Sequence, residues 1–243
     1  MAGVLTLKSI YGYSVLINKD HVKPSARGRP RGRPALPLDR IVEAALELVD
    51  EQGADALSMR SLAQRLGSGT ATLYRHFANR AELIATVVDS MFGEIDFEES
   101  GASGVAWQQA CISFAQRAFD ALARHGSLAP LLIGHIPMGP NALAHREYIL
   151  SLLLRNGFAP EVAARSYATL WHYILGFAMQ VREPAAKPED DERDLTASAA
   201  FRQLEPERYP ATHAVADSLP VELAEEFTFG LRLIVTGLER VHA

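Results

Sequence analysis

Apolar residues recur at helical spacing along most of the chain after residue 37. The first such segment begins near Pro37–Asp39 and stops at Gly53, and its repeating apolar residues are Ile41, Ala44, Ala45, Leu48 and Val49. Spacings of three and four residues place these side chains on one face of an α-helix. We therefore expect a first helix that buries this face and ends at the glycine.

Three shorter helical segments follow. Ser58 suits the N-cap of a second helix that Gly67 ends, the third covers residues 70–77, and Asn79 suits the N-cap of a fourth. The positions expected to face inward are Leu62, Ala63 and Leu66 in the second helix and Leu83, Ile84, Val87, Val88 and Met91 in the fourth. This part of the chain is thus predicted to be a set of short helices joined by tight turns.

The rest of the chain keeps the helical pattern. Long helices are predicted near 105–124, 140–156, 160–182 and 220–241. Residues 183–194 are acidic and contain prolines, so we expect a loop there. A weak strand candidate lies in residues 3–17, and the sequence has no internal repeat. The predicted fold class is all-α.

Composition narrows the class of protein. The chain has 243 residues, 48% of them apolar, which is enough for a substantial core. No apolar run approaches the roughly 20 residues of a membrane-spanning helix, and the N-terminus lacks the pattern of a secretory signal. Cys111 is the only cysteine, which fits a reducing compartment. We expect a cytoplasmic protein with no membrane partner.

Charge is distributed unevenly around a net value of −5. Residues 21–80 hold ten Lys or Arg against six Asp or Glu, whereas residues 81–243 hold twelve against twenty-two. A basic segment at 21–80 followed by an acidic segment at 81–243 indicates that the basic segment binds a polyanion. The alternative is a chance skew of charge.

A tight Gly67-Ser68-Gly69 turn separates the second and third predicted helices, and the first helix can brace them. This is the helix-turn-helix arrangement, whose second helix enters the major groove of DNA. Thr70, Ala71 and Thr72 begin that helix, and their small side chains allow a close approach to base edges.

Polar and aromatic side chains follow directly. Arg75 can fork onto guanine or a phosphate, while Tyr74 and His76 can donate to phosphate oxygens. Arg80 begins the next helix, where free N–H groups favour an anion, and Phe77 closes the small core. Packing of the three aromatic rings in an ordinary bundle is the alternative, but the glycine turn and the basic flanks favour DNA reading.

The segment TLYRHFANRAEL at 72–83 resembles the signature of the TetR family of bacterial transcriptional repressors, and the lead-in ALSMRSLAQRLGSGT is similar to the family's second helix and turn. Further segments resemble the C-terminal domain of the tetracycline-repressor type: LAPLLIGHIPMGPNAL, LRNGF, WHYILGF and FTFGLRLIVTGLERV. The resemblance covers about residues 38–243.

The resemblance implies roles for particular residues. It implies base contacts for Arg60, Thr70 and Ala71, with Tyr74 at the groove, and phosphate contacts for Ser58, Thr72, Arg75, His76 and Arg80. Met59 departs from the polar residue often found at its position and receives no role. In the family the fourth helix links the ligand pocket to the DNA-reading unit, so Leu83 and its helix are expected to couple the two.

Residues 21–37 are rich in Pro, Gly and Arg and contain two consecutive RGRP units. Such a thin basic segment resembles the core of an AT-hook, in which arginines enter the narrow minor groove. The arginines concerned are Arg27, Arg29, Arg31 and Arg33. A solvated tail that adds only electrostatic attraction is the alternative.

The usual signals of an enzyme are missing from the sequence. It contains no P-loop, no GxGxxG after a strand and no HExxH, and no two of the eight histidines are spaced as a helical metal pair. Cys111 lies in an apolar helix and suits a core position better than a nucleophile. We therefore expect no catalytic residues, no metal and no cofactor.

The helices near 160–182 and 220–241 carry broad apolar faces and the small residues Gly176, Gly230 and Gly237. In relatives the equivalent helices of two subunits build a four-helix interface, so a homodimer is expected. The apolar faces are formed by Tyr167, Leu170, Trp171, Ile174, Phe177, Phe227, Leu231, Ile234, Val235 and Leu238. Use of both faces in the subunit's own core is the alternative.

Large apolar and amphipathic side chains of the C-terminal part are candidates for an effector pocket. They are Trp107, Phe114, Leu132, His135, Met138, Trp171, His172 and Phe177. Tetracycline-responsive members hold a magnesium-bound drug partly through a histidine, and Leu132 stands at the corresponding position here. A small hydrophobic effector that needs no metal is therefore expected.

Together these features predict three regions: a flexible basic arm at 1–35, a three-helix helix-turn-helix domain at 36–83, and a larger helical effector-binding and dimerisation domain at 84–243. The predicted function is that of a repressor that releases a palindromic DNA operator when the effector binds. The alternative is an architectural or activating DNA-binding dimer without an effector.

Overall fold

The computed structural model describes residues 14–16, 36–95, 106–133, 135–181 and 196–242. The four arginines of the predicted arm and the predicted loop at 183–194 lie outside these residues. Within the described part the fold is all-α, as predicted.

The N-terminal unit consists of three helices and a 3-10 turn, and a fourth helix leads from it to the rest of the chain. The helices are α1 (Leu38–Gln52), α2 (Met59–Arg65), α3 (Thr70–Leu73) and α4 (Arg80–Gly93), and the turn is Ala54–Ala56. The remaining helices are α5 (Trp107–Arg124), α6 (Ala129–Leu132), α7 (Pro140–Arg155), α8 (Pro160–Ala178), α9 (196–202), α10 (Pro210–Ala214) and α11 (Leu223–His242). Further 3-10 turns lie at Gly126–Leu128 and Ala216–Ser218.

The predicted helix boundaries in the N-terminal unit are confirmed by their caps. Ser58 accepts the backbone N–H of Ser61 at 3.1 Å and Ser61 accepts that of Ser58 at 3.0 Å, which forms a capping box at the start of α2. Asn79 accepts the N–H of Glu82 at 3.0 Å at the start of α4. Gly67 has a φ of 56°, a left-handed conformation that ends α2 at low cost only because the residue is glycine.

Two predicted helices end earlier than expected. α3 stops at Leu73 because the N–H groups of Arg75 and His76 bond to carbonyls three residues back, which tightens the last turn. α8 stops at Ala178 for the same reason, since Val181 bonds to the carbonyl of Ala178. In both cases the apolar pattern continues past the last regular turn.

A short parallel pair of strands lies beside α4. β1 (Ser14–Leu16) pairs with β2 (His135–Pro137), with Ser14 opposite His135. The weak strand candidate at residues 3–17 therefore contains a strand at Ser14–Leu16, and the rest of the candidate lies outside the described residues.

The C-terminal domain is built around α5, α7, α8 and α11, which pack on one another, and α4 connects this core to the N-terminal unit. Leu83, Val87, Val88 and Met91 of α4 are buried as predicted. α4 thus contributes side chains to both cores, so a displacement of this helix would shift residues in both domains.

The apolar faces predicted for dimerisation serve mainly the protomer's own core. Leu170, Trp171 and Ile174 of α8 and Phe227, Leu231 and Val235 of α11 are buried inside the protomer, because α8 and α11 pack against each other. The apolar side chains that α11 leaves exposed form a different ridge at four-residue spacing: Phe229, Leu233 and Val241, with Gly237 between the last two.

Candidate DNA-reading site and effector domain

The DNA-reading unit is a small, fully packed core that carries α3 on its surface. Leu57, Leu62, Leu73 and Phe77 are each at most 2% exposed and hold α2 and α3 against α1. Phe77 seals this core as predicted. The orientation of α3 is therefore fixed by packing on both sides of the turn.

Side chains on the outer side of α3 face solvent. Thr70 and Ala71 are exposed, Thr72 and His76 are half-buried, and Tyr74 is 56% exposed despite its large ring. Arg60, Arg75 and Arg80 are exposed too. The arrangement leaves small polar groups at the tip of α3 and donors on its flanks, which suits a groove and its phosphates.

Two arginines brace the unit internally. Arg65 in α2 donates to Glu51 at 2.6 Å and to Glu47 at 3.0 Å, both in α1, and these hydrogen bonds raise the pKa of Arg65 and lower that of Glu51. Arg80 donates from Nε to the carbonyl of Leu57 at 2.6 Å. The predicted phosphate contact Arg80 therefore also fixes the segment that leads into α2.

Sequence reasoning missed the aromatic cluster that surrounds the end of α4. The ring of Phe92 lies 5.2 Å from Trp171 and 6.0 Å from His145, and Phe114 lies 5.8 Å from His145, between ring centroids. Of the predicted effector residues, the structure brings Phe114 and Trp171 to this cluster. His145 falls on the buried stripe of α7, and a polar residue in that stripe was the signal available in the sequence.

His145 is 2% exposed, and its Nε2 donates to the carbonyl of Phe92 at 2.8 Å. Because burial disfavours the charged ring, the pKa of His145 is lowered, although the carbonyl of Phe92 and the charge of Asp89 oppose this shift. A neutral ring that donates from Nε2 carries its acceptor lone pair on Nδ1. The cluster thus holds one polar group among aromatic rings.

The other predicted effector residues are spread over the domain. Trp107 packs edge-on against Phe158 at 4.9 Å, and Phe177 packs against Tyr173 and Phe227. Leu132 is buried in α6, Met138 accepts a hydrogen bond from Arg146, and His172 is exposed on α8. The backbone of His135 lies in β2, and its side chain lies outside the described part.

No group of three His, Cys, Asp or Glu side chains among the described residues could hold a metal ion. Cys111 is buried, and burial raises the pKa of its thiol to about 12, so the thiol stays protonated at neutral pH. None of the described helices is both long and apolar enough to cross a membrane.

Two family profiles match this chain. Residues 41–87 match the bacterial regulatory proteins of the tetR family, and residues 100–242 match the tetracyclin repressor-like C-terminal domain. The chain belongs to the TetR family. It is therefore a DNA-binding transcriptional regulator and not an enzyme, and members of this family bind small-molecule effectors.

Individual relatives match over most of their length. The chain is 28% identical to the HTH-type transcriptional repressor DrrR1 of Streptomyces coeruleorubidus, over 85% of this chain and 78% of that protein. It is 30% identical to the class D tetracycline repressor of Escherichia coli, over 83% and 88%. The crystal structure of the TetR family protein ActR of Streptomyces coelicolor with actinorhodin superposes with a TM-score of 0.78, at 28% identity, over 87% of this chain and 99% of ActR.

Proposed function

We propose that this TetR-family regulator is a repressor that releases a palindromic operator when a small hydrophobic effector binds its C-terminal domain. The observation that carries the proposal is the position of α4, which packs against both parts of the protein. Its first turns are buried through Leu83 and Val87, while the ring of Phe92 near its end packs at a tilt against Trp171 in the aromatic cluster. A ligand that displaces Phe92 would therefore move a helix that packs against α1, which in turn braces α2 and α3.

DNA reading is assigned to the outer side of α3 and its flanks. Thr70 and Ala71, with Arg60 from α2, face the base edges, and Tyr74 sits at the groove. Ser58, Thr72, Arg75, His76 and Arg80 contact phosphates, and the arm adds Arg27, Arg29, Arg31 and Arg33. As a DNA-binding regulator of a bacterial family, the protein would act in the cytoplasm.

Dimerisation is assigned to the exposed apolar ridge on α11 and the neighbouring exposed side of α8. Phe229 is 66% and Leu233 is 58% exposed in the protomer, and a β-carbon on Gly176 or Gly237 would meet no atom within 4 Å. Two such faces can approach closely and cover one another. A two-fold dimer of this kind presents two α3 helices to the two halves of a palindrome.

The effector is assigned to the aromatic cluster, and no metal is needed to hold it. Leu132, which is 2% exposed, stands where tetracycline-responsive relatives have a metal-binding histidine, and its side chain cannot coordinate a metal. An aromatic effector could stack on Trp171 or Phe114 and hydrogen-bond to a polar group of the cluster such as His145.

The effector assignment is tested by thermal unfolding of the full chain with actinorhodin and with tetracycline, each with magnesium or with EDTA. A ligand at about one hundred times its dissociation constant stabilises the folded state by about 2.7 kcal/mol. We expect stabilisation by the aromatic polyketide in both buffers, and loss of that stabilisation in Phe114→Ala but not in His172→Ala. Stabilisation by tetracycline only with magnesium would contradict the assignment, and stabilisation by neither compound would favour a regulator without an effector of this class.

A further inference from the structure

His125 lies where the DNA-reading domain meets the C-terminal domain. It follows α5 directly, and its Nδ1 is 3.0 Å from Oδ2 of Asp50 in α1. Its Nε2 is 3.2 Å and 3.3 Å from the two carboxylate oxygens of Glu94, directly after α4. One imidazole ring therefore joins a carboxylate of the DNA-reading domain to a carboxylate at the end of the connecting helix.

The hydrogen-bonding capacity of the His125 ring and of the Asp50 and Glu94 carboxylates decides how many protons the ring needs to bond to both. Ionised carboxylates only accept hydrogen bonds, and a neutral imidazole has a single N–H to donate. Both contacts of His125 can therefore be hydrogen bonds at the same time only when both ring nitrogens carry a proton. The ring is then a cation, and both bonds are charge-assisted.

Several groups around His125 carry negative charge or partial negative charge. The ring follows the C-terminal end of α5, where carbonyl groups attract positive charge, and Oδ1 of Asp50 is buried with no hydrogen-bond partner among the described residues. Asp50 and Glu94 contact the ring, and Arg124 of α5 bonds to Glu94. The other charged side chains that line the same cleft are Asp39, Glu43 and Glu47 from α1 and Asp89 from α4. The adjacent turn Gly126–Leu128 has only uncharged residues.

Protons can reach this ring without unfolding of the protein. Its side chain is 15% exposed, and it lines an open cleft of about 590 Å³ between α1, α4 and the start of α7. Asp50 lines the same cleft from the opposite domain. The bridge can thus respond to bulk pH while both domains stay folded.

We propose that His125 is an electrostatic latch that holds α1 of the DNA-reading domain to the α4–α5 corner of the C-terminal domain. The latch is closed when the ring carries two protons and is weakened when it loses one. It depends neither on DNA nor on an effector, and none of its three residues belongs to the DNA-contact or effector assignments. Domain coupling in this regulator is therefore sensitive to pH.

Hydrogen exchange of the full chain tests the latch at about pH 6 and about pH 8, the range in which histidines change charge. Rates are normalised to the intrinsic rate at each pH. At about pH 6 we expect His125→Gln to speed exchange of the last turn of α1 about fivefold, the change expected for loss of partly exposed charge-assisted bonds. The gap between wild type and His125→Gln should shrink at about pH 8, and the control His213→Gln, at an exposed position on α10, should match wild type.

A double-mutant cycle separates the latch from simple packing. Asp50→Asn should speed the same exchange in the wild-type background and have little further effect in the His125→Gln background. Additive effects of the two changes would overturn the proposal, and so would a His125→Gln effect of equal size at both pH values. Neither result would bear on operator binding, which this experiment does not measure.

Discussion

Asp89 of α4 caps α7 from outside that helix, and Gly139 makes room for it. Oδ1 of Asp89 accepts the N–H of Ala142 at 3.0 Å and Oδ2 accepts that of Asn141 at 3.3 Å. Gly139 is the N-cap residue of α7, and it has no side chain that could accept these N–H groups itself. A β-carbon at Gly139 would overlap the carboxylate of Asp89. The helix that connects the domains is thus bonded to the free N–H groups at the start of α7.

Removal of this carboxylate is expected to destabilise the fold. Asp89→Ala leaves the two N–H groups without their acceptor and should lower the free energy of unfolding by about 1–2 kcal/mol. Gly139→Ala should cost a similar amount, about 1–3 kcal/mol, because the methyl group displaces the carboxylate. Urea unfolding measures both, with Asp120→Asn at an exposed position of α5 as the control. An unchanged midpoint in both variants would show that the cap contributes nothing.

His145 predicts a dependence of stability on pH with a definite sign. Its pKa in the folded protein is lowered from the ordinary value of 6.5, so near that pH the unfolded chain binds the proton more readily. Stability is therefore expected to fall as pH drops through about 6.5, and the fall should be smaller in His145→Gln. Urea unfolding at several pH values measures this, and equal slopes for both proteins would contradict it.

The exposed ridge on α11 predicts that a substitution there can abolish dimerisation while the protomer stays folded. Leu233→Glu changes a side chain that is 58% exposed in the protomer, so the charge interrupts the proposed interface without entering the core. We expect a monomer by light scattering at micromolar concentration, with helix content unchanged by circular dichroism. Arg155→Glu, at an exposed position at the end of α7 outside the proposed interface, shows whether any added negative charge has the same effect. A dimeric Leu233→Glu protein would place the interface elsewhere.

The four arginines of the arm predict a change in salt dependence. Replacement of Arg27, Arg29, Arg31 and Arg33 by serine removes four positive charges from each protomer and therefore eight from the dimer, so the slope of log affinity against log salt should fall in magnitude by up to about 7. The loss of affinity should be larger for duplexes with A·T-rich flanks if the arm enters the minor groove. Fluorescence anisotropy at several salt concentrations measures both, and an unchanged slope would leave the arm without a role in DNA binding.

Local signals in the sequence predicted the N-terminal unit well because its boundaries depend on single residues. Ser58, Gly67 and Asn79 act through their own backbone or side chain, so their identity alone indicates a cap or a stop. The interface face of α11 was not predictable in this way. An amphipathic helix shows which residues prefer burial, but whether Phe227 or Phe229 faces the protomer's own core depends on how α8 and α5 pack against it.

The contacts between domains were beyond sequence reasoning for a similar reason. Asp89 lies 53 residues from its partner Ala142, and His125 lies 75 residues from Asp50. No local pattern links such positions, and charged residues in helices most often face solvent. The burial of His145 was easier to predict from the sequence, because this polar residue interrupts the buried apolar stripe of α7.

The central claim is that α3 of a two-fold dimer reads a palindromic operator, and the most direct measurement is selection of binding sites from a random duplex library. Wild-type protein should enrich a palindrome whose half-sites lie about one helical turn or a little more apart. Thr70→Ala should enrich a sequence altered within the half-sites. Arg75→Ala should enrich the same palindrome with weaker binding, and its salt slope should be lower by about 2, because the dimer loses two phosphate contacts. Enrichment of sequences without two-fold symmetry would contradict this claim. So would a result in which Thr70→Ala and Arg75→Ala both enrich the wild-type palindrome and both merely bind it more weakly.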